Sequence, residues 1–99
     1  MDEKLGILVK DIKRRFRGAK VYLFGSRARG DAKPNFDYDL IIVSKGFKPT
    51  TFVDRPGLVW RNTRVCIAAD LICYTPQEFS KIAKSSFIIK DALDHAKAL

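Results

Sequence analysis

The chain has 99 residues, 46% of them hydrophobic and 30% charged, with 19 Lys+Arg against 11 Asp+Glu and a formal net charge of +8. That length holds one domain, residues 1–99, with a single core, and the composition excludes global disorder and fibrous classes. No apolar run approaches the ~18 residues that span a bilayer, and Met1-Asp2-Glu3-Lys4 lacks the basic start and apolar stretch of a secretory signal, so a cytoplasmic protein without a membrane segment is expected.

Asp2 to Arg17 reads as an amphipathic helix, because Leu5, Leu8, Val9, Ile12 and Phe16 recur at helical spacing. Its other face carries Lys10, Lys13, Arg14, Arg15 and Arg17, a solvated face in the first reading and a nucleic-acid surface in the second. Gly18 suits the helix C-terminus. A short apolar strand, Val21 to Phe24, then runs into Gly25-Ser26 and the segment Arg27-Ala28-Arg29, which reads as one helical turn. Such a turn exposes backbone N–H groups at a partly positive helix start, where anionic phosphates are favoured, and Arg27 and Arg29 add charge-assisted donors. A Gly-Ser pair at a strand end is also an ordinary turn, so this signal does not decide alone.

Asp37 and Asp39 open the next strand, ahead of Leu40-Ile41-Ile42-Val43. Side chains at i and i+2 of a strand share a face, so two like charges stand side by side next to apolar sequence. A hard divalent ion such as Mg²⁺ resolves that conflict through oxygen ligands, with waters and phosphates completing its shell. The alternative is a solvated strand entrance whose carboxylates cap loop amides. Between Ser44 and Arg64 the chain is loop-rich, with Gly46, Pro49, Pro56 and Gly57, and a short helix is expected from about Arg55 to Asn62. Phe47, Phe52, Leu58, Val59 and Trp60 read as packing residues.

Val65 to Tyr74 reads as a third apolar strand with one acid, Asp70, on a face shared with Cys66, Ala68, Ile72 and Tyr74, so a solvent-facing position is not expected. Laid beside the Asp37–Asp39 strand, it brings three carboxylates together, which suits metal-assisted chemistry at phosphorus; a buried ion pair with an arginine is the alternative. Cys66 and Cys73, roughly 23 Å apart along one strand, cannot bridge and read as core thiols. With one histidine in the chain, a zinc site is not expected. Thr75-Pro76-Gln77-Glu78 has the form of a capping box for a helix over Gln77 to Lys84. After Ser85-Ser86 a last helix is expected from Phe87 to Ala98. Ile89, Ala92, Leu93, Ala96 and Leu99 form its stripe, which finishes the core in preference to meeting another subunit. His95 reads as a surface residue complementing the helix dipole.

Gly25-Ser26-x3-Gly30, Asp37-x-Asp39 and an aspartate in a later apolar strand resemble the minimal nucleotidyltransferases of the DNA polymerase β superfamily. The resemblance covers nearly the whole chain, including the stretch ADLICYTPQEF and the closing helix. It implies an α/β (α+β) fold, a mixed β-sheet flanked by helices in the order α-β-(short α)-β-(short α)-β-α-α. It also implies two-metal chemistry on a nucleoside triphosphate, with Asp37, Asp39 and Asp70 matching the catalytic carboxylates that hold one or two Mg²⁺ ions. Gly25 and Ser26 match the residues that hold the triphosphate, and Arg27, Arg29 and Gly30 are the further nucleotide-binding candidates. One departure is Phe36, where the family often has a small polar residue; a bulky ring there would repack the loop over the nucleotide.

A domain of this size lacks the extra lobe with which larger relatives bind their acceptors. The resemblance to members encoded beside a small all-helical HEPN protein implies an antitoxin-like role in a HEPN/MNT toxin–antitoxin pair. AMP from ATP would pass to a hydroxyl, such as a tyrosine, of the HEPN partner within a hetero-oligomer; a homodimer is also compatible. Two other readings stand beside it: a non-catalytic nucleotide-sensing or toxin-masking module, and a small basic RNA-binding protein. The charge of +8 favours polyanions of either kind and does not discriminate.

Overall fold

The computed structural model describes residues 3–24, 38–85, 90 and 93–99. Helix α1 (Glu3–Arg15) buries Leu5, Leu8, Val9 and Ile12, and Phe16 is buried just beyond its last turn. The helix ends where Gly18 takes φ +60°, a left-handed conformation that glycine adopts without a Cβ clash. Strand β1 (Lys20–Phe24) follows, and β2 (Tyr38–Val43) returns beside it. Two 3-10 turns, Lys45–Phe47 and Phe52–Asp54, lead into α2 (Arg55–Arg61). Then come β3 (Ala69–Tyr74), α3 (Pro76–Ser85) and a short β4 (Lys97–Ala98). The expected short helix over Arg27–Arg29 lies outside the described residues.

The four strands form one sheet in the order β3-β2-β1-β4. β1 runs antiparallel to both β2 and β4, whereas β2 and β3 are parallel, as a strand–helix–strand crossover through α2 requires. This is the mixed sheet flanked by helices that the sequence led us to expect. Alternation along the strands divides the core in two. On one face Val21, Leu23, Leu40, Ile42 and Cys73 pack with the apolar side of α1, with Phe47 and with Val59 of α2. On the other, Ile41, Val43 and Tyr74 pack with Tyr22, Phe24 and Ile72, under Phe79 and Ile82 of α3 and Leu93. Tyr22 stacks on Phe79 at 5.8 Å between ring centroids.

The expected third strand is shorter than its apolar run. Val65 to Ala68 is irregular; just ahead of it the Arg64 N–H donates to the Asp11 carboxylate at 2.8 Å, and the Val65 carbonyl accepts from the Thr63 hydroxyl at 3.2 Å. The ladder begins only where Tyr38 N–H donates to the Ala68 carbonyl. Cys66 is therefore an exposed thiol, not a core one, while Cys73 is buried as expected and burial pushes its thiol up to about 12. Phe52 is 48% exposed, but its ring still packs against Tyr74 at 5.6 Å between centroids.

The last helix is also cut short. Residues 93–94 are helical, but Ala96 N–H donates to the Leu93 carbonyl and the chain leaves the helix to pair with the outer edge of β1, with Tyr22 opposite Ala98 and Leu23 opposite Lys97. Leu99 N–H donates to the Val21 carbonyl at 2.9 Å. Backbone donors and acceptors on an open strand edge favour such pairing, which amphipathic spacing cannot reveal. The expected stripe is thereby split: Leu93 packs on one face of the sheet and Leu99 on the other.

Asp11, on the buried side of α1, is 2% exposed and clasped by Arg64: Nε and Nη2 donate to its carboxylate at 3.0 and 2.8 Å, beside the backbone donor already noted. These side-chain hydrogen bonds first, and the backbone one second, hold its carboxyl below the usual range. A carboxylate with a depressed folded pKa stabilises the fold fully above its unfolded value, ~3.9, and loses that contribution as pH falls through the lower folded value. Glu78 shifts the same way, chiefly through Arg55. Thermal melts of wild type and Asp11→Asn between pH 7 and pH 2 should therefore differ most near neutrality and converge in acid; a gap independent of pH would contradict this account.

Candidate active site

The register of β2 and β3 places Asp39 directly opposite Asp70. Aligned residues of neighbouring parallel strands project from the same face, ~4.8 Å apart at the backbone, so the two carboxylates stand side by side. Phe24 is the partner of Asp39 on the other flank, which sets the order Phe24–Asp39–Asp70 across three strands. Both acids are the second residues of their strands, so the pair marks the end of the sheet where parallel β2 and β3 begin.

Asp39 is half-buried in an interior strand; Asp70, on the edge strand β3, is exposed. The exposure corrects the expectation that Asp70 faces away from solvent. The long apolar run suggested a strand covered on both sides, but β3 begins one residue before Asp70 and has β2 on one side only. Among the described residues Asp70 has no ion pair; Arg27 and Arg29, the arginines of the motif, lie outside them. Deeper along the same face lie Ile41 and Ile72, then Val43 and Tyr74, an apolar wall behind the acids.

Like charges directly opposite in a sheet are mutually destabilising, by up to ~1 kcal/mol. A hard divalent cation relieves that repulsion, since carboxylate oxygens are its preferred ligands and open positions remain for water and phosphate. Two neighbouring carboxylates are the donor chemistry such an ion takes. Among the described residues no group of three or more His, Cys, Asp or Glu side chains is gathered to hold a metal. Asp37, the third acid expected here and bonded directly to Tyr38, lies outside the described residues, as do Gly25, Ser26, Arg27, Arg29, Gly30 and Phe36. Phe24 and Tyr38, which bracket that segment, belong to the same end of the sheet as the acid pair.

Sequence reasoning missed Arg55, seen only as a helix start. Its side chain is buried, at 4% exposure, and makes five hydrogen bonds. Nε donates to the carbonyls of Phe47 (3.1 Å) and Thr50 (2.9 Å), and Nη1 to that of Cys73 (3.1 Å). Nη1 and Nη2 also fork onto Glu78 at 2.5 and 3.3 Å. The expected capping box is present: Thr75 N–H donates to Glu78 Oε1 at 2.9 Å and Glu78 N–H to Thr75 Oγ1 at 3.2 Å. Arg55 thus ties the 44–54 connection and the start of α3 to the end of β3, fixing the strand that carries Asp70. The only cue in the sequence was an arginine within the first turn of a helix whose other neighbours are apolar.

The sequence matches the nucleotidyltransferase domain family over residues 5–99. Among solved structures, the fold is similar to that of a candidate nucleotidyltransferase from Sulfolobus solfataricus. The two are 32% identical with a TM-score of 0.57, over 79% of this chain and 75% of that one. No curated protein is significantly similar to the sequence. No helix among the described residues is long and apolar enough to cross a membrane.

Proposed function

We propose, from the premise that this chain belongs to the nucleotidyltransferase domain family, that it transfers AMP from ATP to a hydroxyl group on a partner protein. The observation that carries this reading is the placement of Asp39 beside Asp70 at one end of the sheet. Asp37, Asp39 and Asp70 would hold one or two Mg²⁺ ions, which when bound supply the charge stabilisation that in-line substitution at the α-phosphorus demands. Gly25, Ser26, Arg27, Arg29 and Gly30 would grip the triphosphate through backbone and guanidinium donors.

The positions of the two described acids suit them to different work. Asp39 stands in an interior strand between Phe24 and Asp70, so its position is fixed on both sides. Asp70 is exposed on the edge strand, so an acceptor carried by another molecule can approach it from solvent. In the transfer, the acceptor oxygen bonds to the α-phosphorus as the bond to the β-phosphate bridging oxygen breaks and pyrophosphate departs. The resemblance to minimal nucleotidyltransferases supports a small helical HEPN protein as the acceptor and an antitoxin-like role.

Incubation with Mg²⁺ and ATP labelled at the α-phosphate, with and without a co-encoded helical partner, tests this. Label should move to the partner, require the divalent metal, and be accompanied by pyrophosphate. A complex that forms without any movement of label from any nucleoside triphosphate would replace the enzyme with a masking module.

A further inference from the structure

At the opposite end of the sheet from the acids, where β2 and β3 finish, lies a cleft of about 590 Å³. Asp39 and Ser44 are five residues apart along β2 and its continuation, ~17 Å by strand rise, so the two regions are separate. Lys45 and Lys48, from the turn after β2, and Lys81, from α3, line the cleft. All three are exposed, and none forms an ion pair among the described residues.

The one acid in the lining, Glu78, does not offset them. Its Oε1 takes hydrogen bonds from Arg55 and from Thr75 N–H, and its Oε2 takes another from Arg55, so its charge is already matched by the guanidinium. Nor does the start of α3 act as a bare helix end: Pro76 has no N–H, Glu78 N–H is bound to Thr75 Oγ1, and Phe79 N–H to the Thr75 carbonyl. Thr75 Oγ1 accepts that bond and keeps its own proton to donate, at the cleft wall beside Gln77. What remains is three mobile ammonium groups around a concavity of the size that holds small ligands, with a hydroxyl donor.

We propose that this cleft is a second ligand site, which takes a small polyphosphate anion, a chain of phosphate groups either free or carried on a nucleoside. Lysine ammoniums are compact point charges on flexible stems, able to follow several phosphates at once, and the three carry more positive charge than a single carboxylate would neutralise. A cleft, as opposed to an extended flat stripe, favours a short anion over a nucleic-acid strand. The inference does not depend on the nucleotidyl-transfer reading, because the acid pair takes no part in it.

Calorimetric titration with inorganic tripolyphosphate, in EDTA and at low salt, tests it. In an Arg27→Ala/Arg29→Ala background, which removes the guanidinium donors proposed for the triphosphate grip, the protein should bind one equivalent, and adding Lys45→Ala/Lys48→Ala/Lys81→Ala should weaken binding by tenfold or more with an unchanged melting temperature. Asp70→Asn should bind as wild type does. ATP titrated under the same conditions shows whether a nucleoside adds affinity; either order of the two ligands supports the site, provided that, in the Arg27→Ala/Arg29→Ala background, the lysine changes weaken both. Retention of full affinity after the lysine changes, or no binding in the Arg27→Ala/Arg29→Ala background, overturns the proposal. So does displacement of tripolyphosphate by single-stranded oligonucleotides with affinity rising with length, which would assign the cleft to nucleic acid.

Discussion

Asp70→Asn should lower nucleotidyl transfer by about three orders of magnitude, a loss in the range that follows removal of one charge-stabilising group from a reacting centre. The same substitution should leave the fold intact. Asparagine has nearly the shape of aspartate, and position 70 is exposed on an edge strand, so no buried group loses a partner. In the absence of divalent metal the variant should melt at the wild-type temperature or slightly above it, because the repulsion between neighbouring carboxylates, up to ~1 kcal/mol, is removed. Initial rates with labelled ATP and melting curves in EDTA check both halves. An active variant would show that Asp70 is a surface residue with no part in the chemistry.

The largest stability effect is expected at Arg55. Truncation to alanine removes five hydrogen bonds: the Thr50 and Cys73 carbonyls lose the guanidinium, the Phe47 carbonyl keeps only Thr50 N–H, and the Glu78 carboxylate keeps only Thr75 N–H. A buried carbonyl deprived of its donor costs ~1–3 kcal/mol, so a loss of about 3 kcal/mol is expected from the severed carbonyl contacts, which in a domain of this size lowers the melting temperature by about 12 °C or more. Glu78→Gln should cost much less, since the Glu78 side chain is 44% exposed and water can replace part of what it provides. Urea and thermal melts of the two variants give the comparison. A loss below ~1 kcal/mol for Arg55→Ala would mean that the connection from β2 to α2 holds its shape without the guanidinium.

The parts of the fold written locally were legible in the sequence. The apolar spacing of α1 led to Leu5, Leu8, Val9, Ile12 and Phe16, all of which are buried, and the threonine–glutamate spacing led to the capping box of α3. Alternation placed Asp39 and Asp70 on strands, and the structure adds their pairing, since register depends on which strands become neighbours and at what offset. Features set by distant partners were not legible. Val65 to Ala68 is apolar enough for a strand, yet Asp11, 53 residues before Arg64, holds the chain just ahead of it. Lys97–Ala98 falls within the helix expected from the sequence and becomes a strand because β1 has an open edge. Arg55 sits beside a proline at a helix start, and nothing local records that Glu78, 23 residues on, will share its charge. The triphosphate-binding candidates and Asp37 remain expectations of the sequence, outside the described residues.

The central claim is that the paired acids serve nucleotidyl transfer. Its most direct measurement is the metal-dependent movement of α-phosphate label from ATP, run side by side in wild type, Asp39→Asn and Asp70→Asn, each shown to be folded. Label should move in wild type only when Mg²⁺ is present, with pyrophosphate formed in equal amount, and should fail to move in either variant. Equal transfer by all three proteins, or transfer undiminished by EDTA, would contradict the assignment of the acid pair as the catalytic centre.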